Sequence, residues 1–304
     1  MRAAARRKAE TAADLVVEGL TVRFGGLVAV NALGFEVRPG EVLSLIGPNG
    51  AGKTTAFNAI TGYVQPTGGS VTYRGSRLDG LTPNRIAEQG LVRTFQKTSV
   101  FAGQSVFDNI MIGLHLRQKQ SAWQIMLGLP SVRHEEERMR EEAGRILRFV
   151  GLGHRSAELG GALPYGEQRL LEVAVALAAR PSLLLLDEPV SGMNPSETAS
   201  FMDLLAKIRA DGVTLLLVEH DMKVVMGVSD RIIVLSQGSL IAQGTPAEVQ
   251  GNEEVIRAYL GERFRKEQKQ AGARKKDPVR KPAKSTKGAA RKPRSAKPAG
   301  RKKG

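Results

Sequence analysis

The 304-residue chain contains no cysteine, which excludes disulfides, thiolate metal sites and cysteine nucleophiles and fits a reducing compartment. It has no apolar run of about 18 residues or more, so no stretch reads as a membrane-spanning helix. Residues 1–13 carry Arg2, Arg6, Arg7 and Lys8 but lack the apolar stretch of a secretory signal, and a cytosolic location is expected. Residues 1–261 also lack any excess of charge of one sign. The whole net charge of +15 lies in 262–304, where 18 Lys/Arg face 3 Asp/Glu. That tail has a single aromatic residue, Phe264, and cannot bury enough apolar surface to offset the entropy of ordering, so disorder is expected there. The organisation expected is a flexible N-terminus at 1–13, a folded part at 14–261 that is large enough for a sizeable core, and a disordered Lys/Arg-rich tail at 262–304.

Within the folded part, short β-rich runs alternate with helical patterns. Val42–Ile46, Leu183–Leu186, Leu215–Val218 and Ile232–Leu235 read as buried strands of a mainly parallel sheet. Ala51–Ile60, Gly166–Ala179 and Thr198–Ala210 carry helical spacing, and Arg133–Val150 reads as a charged amphipathic helix with Ile146, Leu147 and Val150 facing inward. The alternation predicts an α/β layered domain.

Gly47-Pro48-Asn49-Gly50-Ala51-Gly52-Lys53-Thr54 fits G-x-x-x-x-G-K-[ST], directly after a predicted strand and opening a predicted helix, with Thr55 next. The glycines let backbone N–H groups curl around phosphate oxygens, and the helix N-terminus adds positive potential. Lys53 reaches the β- and γ-phosphates, and the Thr54 hydroxyl ligates Mg²⁺. A second element, Leu183-Leu184-Leu185-Leu186-Asp187-Glu188, delivers two carboxylates at the C-terminal end of a buried strand, where open α/β sheets bind ligands. Asp187 can hold Mg²⁺ through water, and Glu188 is placed to polarise an attacking water as general base.

Between these motifs, Leu163-Pro164-Tyr165-Gly166-Glu167-Gln168-Arg169 opens a helix and resembles the signature loop of ATP-binding-cassette ATPases. Other landmarks of that family follow in order: Gln96 in Arg93-Thr94-Phe95-Gln96 matches the Q-loop, Ser191-Gly192-Met193-Asn194 the D-loop, and His220 the switch histidine. Phe24 falls where the family stacks an aromatic ring on adenine. The resemblance covers about 14–261. It implies a P-loop NTPase cassette with a RecA-like core, an antiparallel β subdomain and a helical insert and signature subdomain at about 97–180. It further implies ATP and Mg²⁺ as ligands, with Thr54, Gln96 and Asp187 toward the metal, and Glu188, His220 and Gln96 as the catalytic set. Tyr165, Gly166 and Glu167 are implied to meet the nucleotide of a second cassette in a head-to-tail homo- or heterodimer. The implied assembly adds two transmembrane permease subunits, contacted by the surface at about 97–114, and indirectly an extracytoplasmic solute-binding protein. It would sit on the cytoplasmic face of the membrane.

Finer features, including Phe24-Gly25-Gly26-Leu27-Val28-Ala29-Val30, the Tyr-Gly form of the signature and Ala258-Tyr259-Leu260-Gly261, resemble the importer branch for branched-chain amino acids. The segment at about 115–133, with Trp123, Ile125, Met126 and Leu127, resembles the helical insert of that branch; it reads either as a helix docked on the domain or as a contact with the permease. Two departures stand out. Pro164 occupies the usual serine position and cannot donate to a γ-phosphate, and Asn194 replaces the usual D-loop aspartate. His115, His134 and His154 receive no role. Alternatives are the ATPase of a lipopolysaccharide-type exporter and a soluble ATPase acting on nucleic acid or ribosomes. The Phe-Gly-Gly start and the insert argue against the first, and a single cassette per chain argues against the second. The tail suits an anionic membrane surface, nucleic acid, or no fixed partner.

Overall fold

A computed structural model of the protein describes residues 13–94, 100–115 and 130–259, and of these 130–133 by backbone only. Gln96, the insert around Trp123, and both terminal segments lie outside the described residues. The chain separates into two units, Met1–Glu262 and Arg263–Gly304, and the fold is that of the first.

Two sheets carry it. The strands β1 (Leu15–Phe24), β2 (Leu27–Val37), β4 (Gly68–Tyr73) and β5 (Ser76–Arg77) form an antiparallel sheet in the order β2-β1-β4-β5. The strands β3 (Val42–Ile46), β6 (Leu91–Arg93), β7 (Leu183–Asp187), β8 (Thr214–Val218), β9 (Arg231–Ser236) and β10 (Ser239–Gly244) form the second, in the order β10-β9-β3-β8-β7-β6. All its pairs are parallel except β10 on β9. Helices among the described residues include α1 (Lys53–Ile60), α2 (Pro83–Glu88), α3 (Val106–His115), α4 (Pro130–Phe149), α5 (Tyr165–Ala178), α6 (Pro195–Ala210), α7 (Met222–Val228) and α8 (Pro246–Gln250).

The strand sequences explain the layering. All five residues of β3, β7 and β8 are buried, as a parallel sheet covered on both faces requires. Because side chains alternate along a strand, one strand feeds two cores. Leu184 and Leu186 pack with Ile110, Leu147, Leu171 and Phe201 of the helical layer, whereas Leu183 and Leu185 pack with Phe57, Ile60 and the antiparallel sheet. The predicted inward face of α4 is present, with Leu147 and Val150 buried and Ile146 half-buried, and Met139 and Ala143 extend it.

The order β3-β8-β7-β6 decides where chemistry can occur. It sets the loops after these four parallel strands side by side along one sheet edge: the glycine-rich loop, the His220 turn, the Glu188 turn and the segment leading to Gln96. The predicted helix and strand cores agree with the observed elements within a few residues, and the antiparallel sheet is the one implied by the family resemblance.

Candidate nucleotide site

The loop from Gly47 to Gly52 is shaped by backbone crowding. Gly47 has φ 151° and Gly52 φ 100°, and a Cβ on either would collide with a carbonyl oxygen, of Leu235 and of Ala29 respectively. Only glycine meets both demands. The loop is braced by the β9–β10 turn, itself held by β2: the Gly238 N–H donates to Ala51 O at 3.0 Å, and the Asn31 N–H donates to Gly238 O at 2.8 Å. Lys53 is buried, its Nζ donating to Gly47 O at 2.7 Å and Pro48 O at 3.0 Å, so the ammonium is fixed within the loop. Asn49, Gly50 and Thr54 face solvent, Pro48 and Thr55 are half-buried, and open space lies where a Cβ on Gly50 would point. The resulting concavity of N–H donors at the start of α1 fits a phosphate chain.

Asp187 ends β7 with its side chain buried. Its Oδ2 accepts a hydrogen bond from Arg93 Nη2 at 2.7 Å. Arg93 also donates to Asn58 Oδ1 at 2.6 Å and lies 5.5 Å from the Phe57 ring centroid, which ties the last residue of β6 to α1. Glu188 follows with φ 49°, a left-handed conformation that costs a non-glycine residue about 1–3 kcal/mol. Its N–H donates to Val218 O at 2.8 Å, and its Oε1 lies 3.8 Å from His220 Nδ1. His220 itself is exposed. The base and switch candidates therefore meet, on neighbouring strands.

Glu219, next to the histidine, is wholly buried. Its Oε1 accepts from the Val190 N–H at 3.1 Å, and its Oε2 accepts from the N–H groups of His220 at 2.9 Å and Asp221 at 3.3 Å. Burial pushes its carboxyl pKa upward from a glutamate's ordinary value, against the three donors that pull it down.

Tyr165, Gly166 and Glu167 open α5, and among the described residues they lie against Arg155, Arg169, Gly192 and Glu197, none of them in the phosphate loop. The Tyr165 hydroxyl accepts from Arg169 Nη2 at 2.8 Å, and Arg169 is buried with Glu172 at 2.8 Å. A Cβ on Gly192, which has φ 82°, would lie 2.9 Å from the Tyr165 ring, and one on Gly166 would lie 2.9 Å from the Glu197 carboxyl. The Glu167 carboxylate pairs with Arg155 at 3.1 Å. Pro164 takes the N-cap position without a side-chain cap. Asn194 caps α6: its Oδ1 accepts from the Ser196 and Glu197 N–H groups, while Glu197 Oε2 accepts from the Asn194 N–H. Phe24 is half-exposed at the β1–β2 turn rather than in the core, so its ring face is accessible.

Among the described residues no group of three His, Cys, Asp or Glu could cage an ion. That suits Mg²⁺, which prefers one or two protein ligands plus waters and phosphate oxygens. The exposed Thr54 hydroxyl and the Asp187 carboxylate are hard oxygen donors of that kind.

A family model described as "ABC transporter" matches residues 30–191, more than half of the chain. The chain belongs to the ABC transporter family. A second model, "Branched-chain amino acid ATP-binding cassette transporter", matches residues 239–265 of this ABC cassette. The cassette is 46% identical over 249 residues to the high-affinity branched-chain amino acid transport ATP-binding protein LivG of Salmonella typhimurium, covering 82% of this chain and 98% of that one. It is 33% identical to the lipopolysaccharide export system ATP-binding protein LptB of Escherichia coli, covering 83% and 99%. Its fold is similar to the solved ADP conformation of MJ1267, an ATP-binding cassette of an ABC transporter, with TM-score 0.73, 30% identity and coverage of 83% and 100%.

Sequence reasoning missed Arg93, Glu219 and Asn109. Asn109 is fully buried and exchanges hydrogen bonds with the Phe101 backbone in both directions, at 2.8 and 3.1 Å, fixing the turn that leads into α3. An Asn at the fourth position of a largely apolar helix was the available signal. Nothing in the sequence distinguished Glu219 from an exposed neighbour of His220.

Proposed function

We propose that this cassette is the ATP-hydrolysing motor of an importer for branched-chain amino acids or related small amino acids and amides. The observation that carries the reading is identity with LivG over nearly all of that protein's length, at 46% against 33% for LptB.

In this reading, Phe24 stacks on adenine. Gly47, Pro48, Asn49, Gly50, Ala51, Gly52, Lys53, Thr54 and Thr55 hold the phosphates. Thr54, Asp187 and Gln96 hold Mg²⁺, which when bound supplies neutralisation of phosphate charge. Glu188 orients and deprotonates water, and His220 faces the γ-phosphate. Tyr165, Gly166 and Glu167 serve the nucleotide of a second cassette, which explains why their contacts lie away from this chain's own phosphate loop. ATP bridging two cassettes favours the closed pair and ADP does not, and only such a difference in affinity can drive a conformational cycle.

The motion would pass to two permease subunits through the surface after the Q-loop. Phe101 and Leu159 support this, since each is about half exposed although apolar, and Ser105 bridges to Leu159 beside them. An extracytoplasmic binding protein would deliver substrate to the permeases. The cassette would sit peripherally on the cytoplasmic face, with 1–13 and 262–304 flanking a domain at 14–261. The tail's partner in this reading is the anionic lipid of that face.

The test is purification of the full chain from membranes with its bound permeases, followed by reconstitution in vesicles. ATP-driven accumulation of leucine, isoleucine or valine is expected. Recovery with lipopolysaccharide export components, or with ribosomes or DNA and no permease, would overturn the reading.

A further inference from the structure

We propose that Glu219 is a positioning residue that fastens the turn bearing the base Glu188 to the turn bearing His220, so that both act as one unit. The proposal rests on the roles given above to those two residues.

A wholly buried carboxylate is an expensive choice at this position, and its oxygens are divided between two loops. Oε1 takes the Val190 N–H, two residues beyond Glu188, and Oε2 takes the N–H groups of His220 and Asp221. Those donors belong to the turns after β7 and β8, which are adjacent strands. The strained conformation of Glu188 is the second observation: a left-handed non-glycine residue persists only where its surroundings over-determine it. Its own N–H is held by Val218 O on one side, and Val190 is held by Glu219 on the other. The base is thus clamped between two bonds to consecutive residues, Val218 at the end of β8 and Glu219 just after it. Glu219 Oε2 lies 4.0 Å from His220 Nδ1, beyond hydrogen-bond reach of the ring. It acts through backbone placement.

The test compares Glu219→Gln, Glu219→Asp, His220→Ala, Glu188→Gln and Glu219→Gln/His220→Ala in the full chain. Glutamine keeps the shape but turns an NH₂ group toward one loop's N–H donors, so one loop loses its acceptor. Expected for Glu219→Gln is a fall in kcat of about tenfold or more, with KM for ATP and affinity for a fluorescent ATP analogue within about twofold, because the phosphate loop is untouched. On the His220→Ala background the same change should cost less than about threefold, since a residue acting through the histidine turn has less left to lose. Aspartate keeps the charge but reaches only one loop and should fall between. An unchanged rate, a fully multiplicative double variant, or a fall in rate matched by loss of nucleotide affinity and thermal midpoint overturns the proposal. Glu219→Asp carries the test if the glutamine variant does not fold, and failure of both to fold makes Glu219 a structural residue and the proposal wrong. Glu188→Gln should lose about 10²–10⁴-fold. Normal turnover in Glu188→Gln and His220→Ala would defeat the site reading itself, a result distinct from failure of Glu219 alone.

Discussion

Arg93 Nη2 donates to Asp187 Oδ2 at 2.7 Å, in an ion pair whose side chains are only 7% and 1% exposed. The pair joins the residue just before the Q-loop to the residue proposed for Mg²⁺. The same guanidinium holds Asn58 of α1, so three elements around the nucleotide site meet at one cation.

Removing one partner of a buried pair leaves the other uncompensated, which is worth about 3–5 kcal/mol. Arg93→Met should therefore lower unfolding free energy by about that amount in a denaturant titration. Arg93→Lys keeps the charge but cannot fork to both Asp187 and Asn58, and should lose roughly half as much. A loss of under about 1 kcal/mol for Arg93→Met would show that Asp187 is satisfied without it.

Asn194 is an exposed cap whose side chain accepts two N–H groups of α6 while Glu197 returns the bond to the Asn194 N–H. Asn194→Ala should cost about 1 kcal/mol of stability. Asn194→Asp should restore the family's usual residue at no loss, since aspartate accepts the same bonds and its charge favours a helix N-terminus. Thermal unfolding of the three chains checks both statements; a stable alanine variant would mean that Pro195 alone sets the helix start.

The frame of this protein was legible because its strands are short runs of buried aliphatics punctuated by glycine motifs. Val42–Ile46 and Leu215–Val218 declare themselves by composition, and Lys53, Asp187, Glu188 and His220 declare themselves by following such strands. What could not be read was which turns touch. The strand order puts β8 between β3 and β7, so the bonds from Glu219 to Val190 and from Arg93 to Asp187 link residues 29 and 94 positions apart. No local pattern encodes those partners. Asn194 shows the converse: read as a departure from the family residue, it is locally a sound cap, and Glu197 three residues on completes a capping box.

The tail's 18 Lys/Arg against 3 Asp/Glu predict binding to anionic vesicles that weakens as salt rises, because exposed charges are screened within a Debye length. Deleting 262–304 should abolish co-sedimentation with phosphatidylserine vesicles at about 50 mM salt and leave ATP hydrolysis unchanged. Retained vesicle binding would move the membrane contact to the folded domain, and tail-dependent binding of DNA in preference to vesicles would favour nucleic acid as the partner.

Pro164 offers no hydroxyl at the N-cap of α5, where the family's serine would donate to a γ-phosphate held by the partner cassette. The backbone N–H groups of Tyr165, Gly166 and Glu167 in the first turn remain, so the site should be weakened rather than dead. A hydrogen bond to a charged group is worth about 1.5–3 kcal/mol, or roughly 10- to 150-fold in an equilibrium. Pro164→Ser should also supply the missing side-chain cap, adding about 1 kcal/mol to stability. The expected outcome is a tighter ATP-dependent dimer and faster hydrolysis in the assembled transporter, measured side by side with the unsubstituted chain. Equal rates and equal dimer affinity would mean that the helix N-terminus alone meets the phosphate and that proline at this position costs the motor nothing.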